Sequence, residues 1–301
     1  LTIDRWRVMA DEHSRVLDRG PLVLIADTAH GPRIEAVNRA GAAAGAHKGM
    51  MLADARTLCP EIATAPSDPA GDLGFLETLA IWAQRWGPWS ALDPPDGLLV
   101  DVTAVAHLFG GENRLLADVQ QAFAQRQLAV RTAIAPTAGA AWALAHHGRD
   151  GAIVEGAEAI ERALSDLPVA ALRLDQDVVT VLRRLGLKRL GEIATLGRDA
   201  IQRRFRNRKS PAANPLVRLD QLLGRVPEPL LPVVPQQVPL VQRRLLEPIR
   251  HRQLLDTVVT DLAGDMAREL EGQGQGARRL ELGLWRVDGE VVVRRLELAA
   301  A

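Results

Sequence analysis

Apolar positions recur along this chain with two spacings, and the switches between them set out its elements. "PLVLIA" at residues 21–26 is an apolar run of strand length, and "RIEAV" after it reads as an edge strand. An Ala-rich helix is expected from Arg39 to Ala44, then a Gly-containing turn and a second helix from Leu52 to Leu58. The cluster "SDPAGDLG" at 67–74 reads as a breaker and a boundary, with Phe75, Leu79, Trp82 and Trp86 following at helical spacing. Next come the strand in "DPPDGLLVDVT", an amphipathic helix carrying Leu115, Leu116, Val119 and Phe123, the strand "LAVRTAIA", the Ala-rich helix in "TAGAAWALAHHG" and the strand "GAIVEG". This β–α–β–α–β order predicts a ferredoxin-like sheet with helices on one side.

From Leu167 the pattern changes to short helices joined at Gly186 and Gly191, without strands. Residues 225–240 carry five prolines and read as an extended linker. A strand over 242–250, a long helix and two strands meeting at Val287-Asp288-Gly289 complete a β–α–β–β unit, the Asp-Gly pair marking the hairpin. The class is α+β. At 301 residues the chain is long for one core, so two to four small domains are expected.

Composition excludes little. The chain is 47% hydrophobic and 25% charged with a formal net charge of zero, which leaves nucleic acid open because only the local distribution of charge matters. That distribution is uneven. Between Arg183 and Arg225 stand twelve basic residues against three acids: Arg183, Arg184, Lys188, Arg189, Arg198, Arg203, Arg204, Arg206, Arg208, Lys209, Arg218 and Arg225. Such a stripe is the footprint of sequence-independent, salt-sensitive contact with a phosphate backbone, where the bland alternative is a solvated helix face. Arg243, Arg244, Arg250, His251 and Arg252 form a second cluster. The single cysteine, Cys59, permits no internal disulfide and fits a reducing cytoplasm. No apolar run approaches the ~18 residues of a membrane span. The opening "LTIDRWRV" has neither an initiator Met nor a signal-peptide core, so the chain is expected to be a piece of a longer protein.

The stretch "DPPDGLLVDVTAVAHLFGG" at 93–111 has the form of a buried strand with acids around it. Asp96 leads into it and Asp101 lies inside it, but position 97, where a paired carboxylate would complete a metal site, is glycine. Asp96 reads equally as a turn residue after Pro94-Pro95, and Asp101 as a hydrogen-bonded strand aspartate. His107 reads as structural, and His146-His147 lack a Cys or acid at metal-ligand spacing.

Three segments in register resemble the Y-family (translesion) DNA polymerases: "VNRAGAAAGAHKGMMLADARTLCP" their fingers, "DPPDGLLVDVT" their palm strand, and "RTAIAPTAGAAWALAHHGRDGAIV" the next palm strand and helix. The resemblance covers nearly the whole chain. It implies a right-hand architecture: fingers with an N-terminal palm remnant at 1–68, palm at 69–165, helical thumb at 166–228, linker at 229–239 and little finger at 240–301. In that family an Asp-Glu pair on the palm strand helps hold two Mg²⁺; here Asp96 falls on the Asp and Gly97 on the Glu. The Tyr and Arg that meet the nucleotide phosphates are matched by Arg39 and Ala42, and the lysines of the palm helix by Ala138 and Trp142. A third carboxylate would lie upstream of Leu1. The thumb resembles a helix-hairpin-helix whose Gly-x-Gly turn is replaced by Arg173-Leu174-Asp175, with Asp175 expected as an N-cap that repels phosphate.

This pattern of loss resembles the ImuB-type branch, polymerase-like subunits of the bacterial inducible mutasome. It implies an inactive adaptor, with no cofactor and Asp96 as a vestigial position. Implied partners are primer–template DNA, the sliding clamp, a RecA-like ImuA-type subunit and an error-prone C-family polymerase. The expected DNA contacts are Arg183, Arg184, Lys188, Arg189, Arg203, Arg204, Arg206, Arg208, Lys209, Arg243 and Arg244. "QQVPLV" at 236–241 faintly resembles a clamp-binding peptide but lacks its terminal aromatic. Two other readings stay open: an active, divergent polymerase using Mg²⁺, and a protein-interaction scaffold.

Overall fold

The computed structural model describes residues 1–10, 15–195, 198–208, 210–235 and 238–298. The chain divides into two compact units, Leu1–Val234 and Pro235–Ala301. In the first, β1 (Leu22–Thr28) pairs antiparallel with β2 (Gly31–Val37) and parallel with β3 (Ala63–Pro66), giving the order β2-β1-β3. A helix α1 (Thr2–Met9) precedes this sheet, and α2 (Arg39–Ala43) and α3 (Leu52–Leu58) lie between β2 and β3 as the spacing predicts. Asn38 sets the start of α2. Its buried side chain accepts from Gly41 N at 2.8 Å and Leu22 N at 3.0 Å, and donates to Asp18 Oδ1 and the Gly20 carbonyl. One amide thus satisfies two backbone donors that burial would otherwise leave without partners.

The "SDPAGDLG" cluster is a helix start rather than a break in regular structure. Asp68 caps α4 (Pro69–Ala83) by accepting from Gly71 N, and Pro69 takes the first helical position, where its missing N–H costs nothing. Helix α5 (Glu112–Gln125) packs beside it, and Trp82, Trp86 and Phe123 form an aromatic cluster. Trp86, almost fully buried, donates its Nε1 to Asp118 at 2.7 Å. Against this cluster pack Leu98 and Val100 from the antiparallel hairpin β4 (Trp89–Asp93) and β5 (Gly97–Asp101).

The expected single ferredoxin-like sheet is replaced by small separate ones. β4–β5 stands alone, and β6 (Ala133–Ile134) pairs in parallel with β7 (Ala152–Ile153) over two residues each. "HLFGGE" lies on a 3-10 turn, Ala106–Phe109, closed by Gly110 and Gly111 at positive φ; His107 is exposed on it. The outer edge of β4 is covered from far along the chain. Pro232 bridges Ala91, Val233 N donates to the Ser90 carbonyl at 2.7 Å, and Gln84 Nε2 donates to the Val233 carbonyl. The proline-rich stretch therefore docks on this edge through an isolated bridge at Pro232.

Helices α6 (Ala138–His147), α7 (Ala157–Leu164), α8 (Gln176–Arg184), α9 (Leu190–Thr195), α10 (Arg198–Phe205) and α11 (Pro215–Leu222) share one apolar core, running from Ala140 and Ala143 to Leu219 and Leu222. Gly186, at φ 84°, makes the expected turn after α8. Gly191 does not join helices; it lies inside α9, against the Ser165 carbonyl. In the second unit α12 (Arg252–Gly272) precedes the hairpin β8 (Arg279–Trp285) and β9 (Val291–Glu297), which turns at Asp288-Gly289 as the sequence predicts. Residues 242–250 form no strand; Arg243 instead pairs with Asp261 and Asp265 of α12. An arginine pair with Pro248 nearby favours side-chain pairing to the helix over a ladder that proline cannot complete.

Asn38→Ala should destabilise the first unit by about 2 kcal/mol, because two buried backbone donors lose their acceptor together. Denaturant unfolding of both proteins checks this; an unchanged midpoint would mean water replaces the amide.

Candidate functional site

The β4–β5 hairpin presents two faces. Leu98 and Val100 point into the aromatic core, which leaves Gly97, Leu99 and Asp101 on the other side. Gly97 lies opposite Asp93, and a Cβ placed on it would stand 3.0 Å from the Asp93 carbonyl oxygen and 3.1 Å from its Oδ2. Position 97 therefore carries no carboxylate and has little room for one. Asp96 is exposed at the hairpin tip, beyond Pro94-Pro95. Asp101 is tied to its own turn, and the Thr103 hydroxyl and backbone N–H hold its carboxyl below the usual range.

Asp93, which no sequence motif singles out, is the acid that the surrounding elements engage. Trp142 Nε1 donates to Asp93 Oδ2 at 2.5 Å. Arg173 Nη1 lies 3.4 Å from Asp93 Oδ1, and its Nη2 reaches both oxygens of Glu228 at 2.5 and 2.7 Å. Arg218 Nη1 joins Glu228 at 2.8 Å. The Arg173 guanidinium also stands 5.4 Å from the centre of the Trp142 ring. Side-chain exposures of 13% for Arg173, 11% for Glu228, 18% for Arg218 and 26% for Asp93 make this a largely desolvated set of two cations and two anions. Paired charges of this kind stabilise little beyond good apolar packing, but removing one member strands its partner at a cost of ~3–5 kcal/mol.

The signal for this cluster lay at Arg173, a bulky residue where the fold needs a left-handed turn: φ is 53° and ψ 44°. A second signal was Glu228, the only acid between Asp220 and Glu247. His146 stacks on Trp142 at 4.0 Å. Among the described residues no group of three or more His, Cys, Asp or Glu side chains is arranged to hold a metal ion. The acids present on the hairpin therefore do not fit a two-metal site: Asp93 is engaged, Asp96 points to solvent and Asp101 caps its turn.

The basic stripe divides into two groups. Arg183, Arg184, Lys188, Arg203, Arg204 and Arg206 are exposed, with no carboxylate at ion-pair distance among the described residues. Arg203 and Arg206 line a depression of about 360 Å³ with Asp199 and Gln202. The others are paired: Arg189 with Asp166, Arg208 with Asp177, Arg198 with Asp220, and Arg225 with Glu161 and Asp220. Counting along the sequence missed these pairs because Asp166, Asp177 and Glu161 lie outside the window. Lys209 falls outside the described residues, as do Gln236 and Gln237 of "QQVPLV". In the second unit Arg244 is exposed, whereas Arg243 is paired with α12.

Neither helix start in the hairpin around Gly186 is open to an anion. Asp175 stands at the N-cap position of α8 but makes no capping hydrogen bond; its backbone N–H goes to the Ala212 carbonyl. Asp177, in the first turn, is held below the usual carboxylate range by Arg208. At the start of α9, Glu192 accepts from Arg189 N at 2.9 Å and Lys188 N at 2.5 Å, which likewise lowers its carboxyl. The donors at the start of α9 already have a carboxylate partner, and Asp175 and Asp177 put negative charge at the start of α8, so any grip on DNA falls to arginine and lysine side chains.

Residues 4–146 match the impB/mucB/samB family. The chain is 39% identical over 255 residues to protein ImuB of Caulobacter vibrioides (strain NA1000 / CB15N), an alignment covering 85% of this chain and 54% of that protein. It thus spans about half the length of the curated relatives it matches. Among solved structures it superposes on DinB from Sulfolobus solfataricus with TM-score 0.56 at 14% identity, covering 96% of this chain and 84% of that one. A post-insertion binary complex of Dbh DNA polymerase gives TM-score 0.61 at 13% identity, covering 99% and 84%. The fold is therefore that of the Y-family polymerases.

Gly97→Glu should not make the hairpin catalytic. The new side chain meets Asp93, so a thermal midpoint lowered by overpacking worth ~1–3 kcal/mol is expected, with no nucleotide added to a primer. Primer extension beside a melting curve decides it. Acid should loosen the segment around α9. The folded carboxyl of Glu192 lies below its unfolded value, so its contribution is present above the ordinary 4.5 and is lost as pH falls through the lower folded value. Amide exchange at Lys188 and Arg189 should rise on that descent, and in Glu192→Gln it should already be high at neutral pH.

Proposed function

Because the chain belongs to the impB/mucB/samB family of Y-family polymerase-like proteins, we propose that it is a catalytically inactive, DNA-binding adaptor in bacterial translesion synthesis. One observation carries the reading. The hairpin position matching the second metal-binding carboxylate is Gly97, and the acid opposite it, Asp93, is committed to Trp142 and Arg173. Two-metal phosphoryl transfer needs free carboxylates aimed at one point. The six exposed cations without carboxylate partners among the described residues, at Arg183, Arg184, Lys188, Arg203, Arg204 and Arg206, support contact with the DNA backbone.

On this reading residues 69–165 serve as palm and 166–228 as thumb, and the protein brings primer–template to a separate polymerase. The sliding clamp, an ImuA-type subunit and an error-prone C-family polymerase are its partners, and induction by DNA damage in the cytoplasm its setting. No helix among the described residues is long and apolar enough to cross a membrane.

Primer extension with excess full-length protein, a labelled primer–template, four nucleotides and Mg²⁺ or Mn²⁺ tests the proposal. The expected result is retarded DNA with no nucleotide added. Extension that Asp96→Ala abolishes would establish an active polymerase instead. Reversing charge at Arg203, Arg204 and Arg206 should weaken binding to all sequences and flatten the salt slope by about 0.9 for each phosphate no longer neutralised. Unchanged affinity would remove this face from the interface.

A further inference from the structure

The palm and the thumb are joined without a hinge between them. Helix α6 and helices α7 to α11 share one apolar core. At the seam, Thr137 Oγ1 donates to the Leu222 carbonyl at 2.7 Å, and Gly139 lets α6 approach so closely that a Cβ there would lie 3.1 Å from Leu222 Cα. The chain then returns from the thumb through Glu228 to the β4 edge, where Val233 pairs with Ser90. Arg173 stands where these segments meet. It is a thumb residue at the turn before α8, yet its guanidinium turns inward to Asp93 and Trp142 of the palm and to Glu228.

We infer that Arg173 is a positioning residue: it clasps the thumb to the palm, so the cationic face of α8 and α10 is set for DNA before any nucleotide arrives. The link to DNA rests on the adaptor reading above; the clasp itself does not. A phosphate nest at this turn would need a small residue with its N–H groups outward. Here an arginine occupies the left-handed position, and its charge is directed to two carboxylates inside the protein. Trp142 faces the same pocket and closes it with an indole N–H.

The test uses the full chain with spin labels at Gln121→Cys in the palm and Asn207→Cys in the thumb, in a Cys59→Ser background. Wild type should give a narrow distance distribution that neither DNA nor added nucleoside triphosphate changes. Arg173→Gln should broaden it and speed DNA dissociation by about tenfold, while the salt slope stays as in wild type because the number of neutralised phosphates is unchanged. Arg173→Lys, which keeps the charge but not the simultaneous reach of Nη1 to Asp93 and Nη2 to Glu228, should not restore the narrow distribution.

A folded Arg173→Gln protein with wild-type distances and dissociation overturns the proposal. So does a reduced salt slope, which would make Arg173 a direct phosphate ligand. If Arg173→Gln does not fold, Asp93→Asn, which keeps the shape and an acceptor for Trp142, carries the same two readouts. A wild-type protein that binds no DNA would sink the adaptor reading, and the distance distributions would still decide the clasp.

Discussion

Two guanidinium groups and two carboxylates share one largely water-free pocket, and their mutual neutrality is the condition on which the rest of the first unit is arranged. Arg173 and Arg218 balance Asp93 and Glu228. Removed from water singly, each would be very costly; together, with the Trp142 indole filling the remaining acceptor, they can be enclosed. Each member comes from a different stretch: the hairpin end, the turn before α8, α11, and the segment leading back to β4. Four chain segments are thus held to one geometry by a charge balance that tolerates few substitutions.

The hairpin keeps its packing and its polar groups on separate faces. Its apolar face, Leu98 and Val100 on Trp86 and Phe123, depends on volume and shape alone. Its other face holds Gly97 and Asp101, whose side chains make no contribution to that core. Carboxylates there can be lost or reassigned without disturbing the packing behind them. The same division runs through the helical segment: its buried leucines and valines are continuous with the core around α6, while its surface decides whether phosphate is met by backbone or by side chains.

Elements marked by local chemistry could be read from sequence. The helices at 39–43 and 52–58 are bounded by an Asn cap and a turn, and the last hairpin by Asp288-Gly289, all signals within a few residues. Features set by distant partners could not. "SDPAGDLG" contains two glycines and a proline and looks like a break, yet Asp68 and Pro69 are the ordinary opening of a helix. Residues 242–250 look like a strand, but Arg243 finds acids on α12. The basic stripe was legible as composition; which of its arginines are already neutralised depended on Asp166, Asp177 and Glu161, remote in sequence. Asp93 was hidden for the same reason, because its importance lies in Trp142 and Arg173.

The segment that covers the β4 edge also bears on how the chain is made. Gln84 and Val233 are 149 residues apart, so on the ribosome the hairpin emerges long before the segment that closes it. At ~5–20 residues per second the open edge waits roughly 7 to 30 seconds. An unpaired strand edge is a template for joining another nascent chain. Codon choice across residues 102–233 would therefore set how long each new molecule is exposed to its neighbours on a polysome.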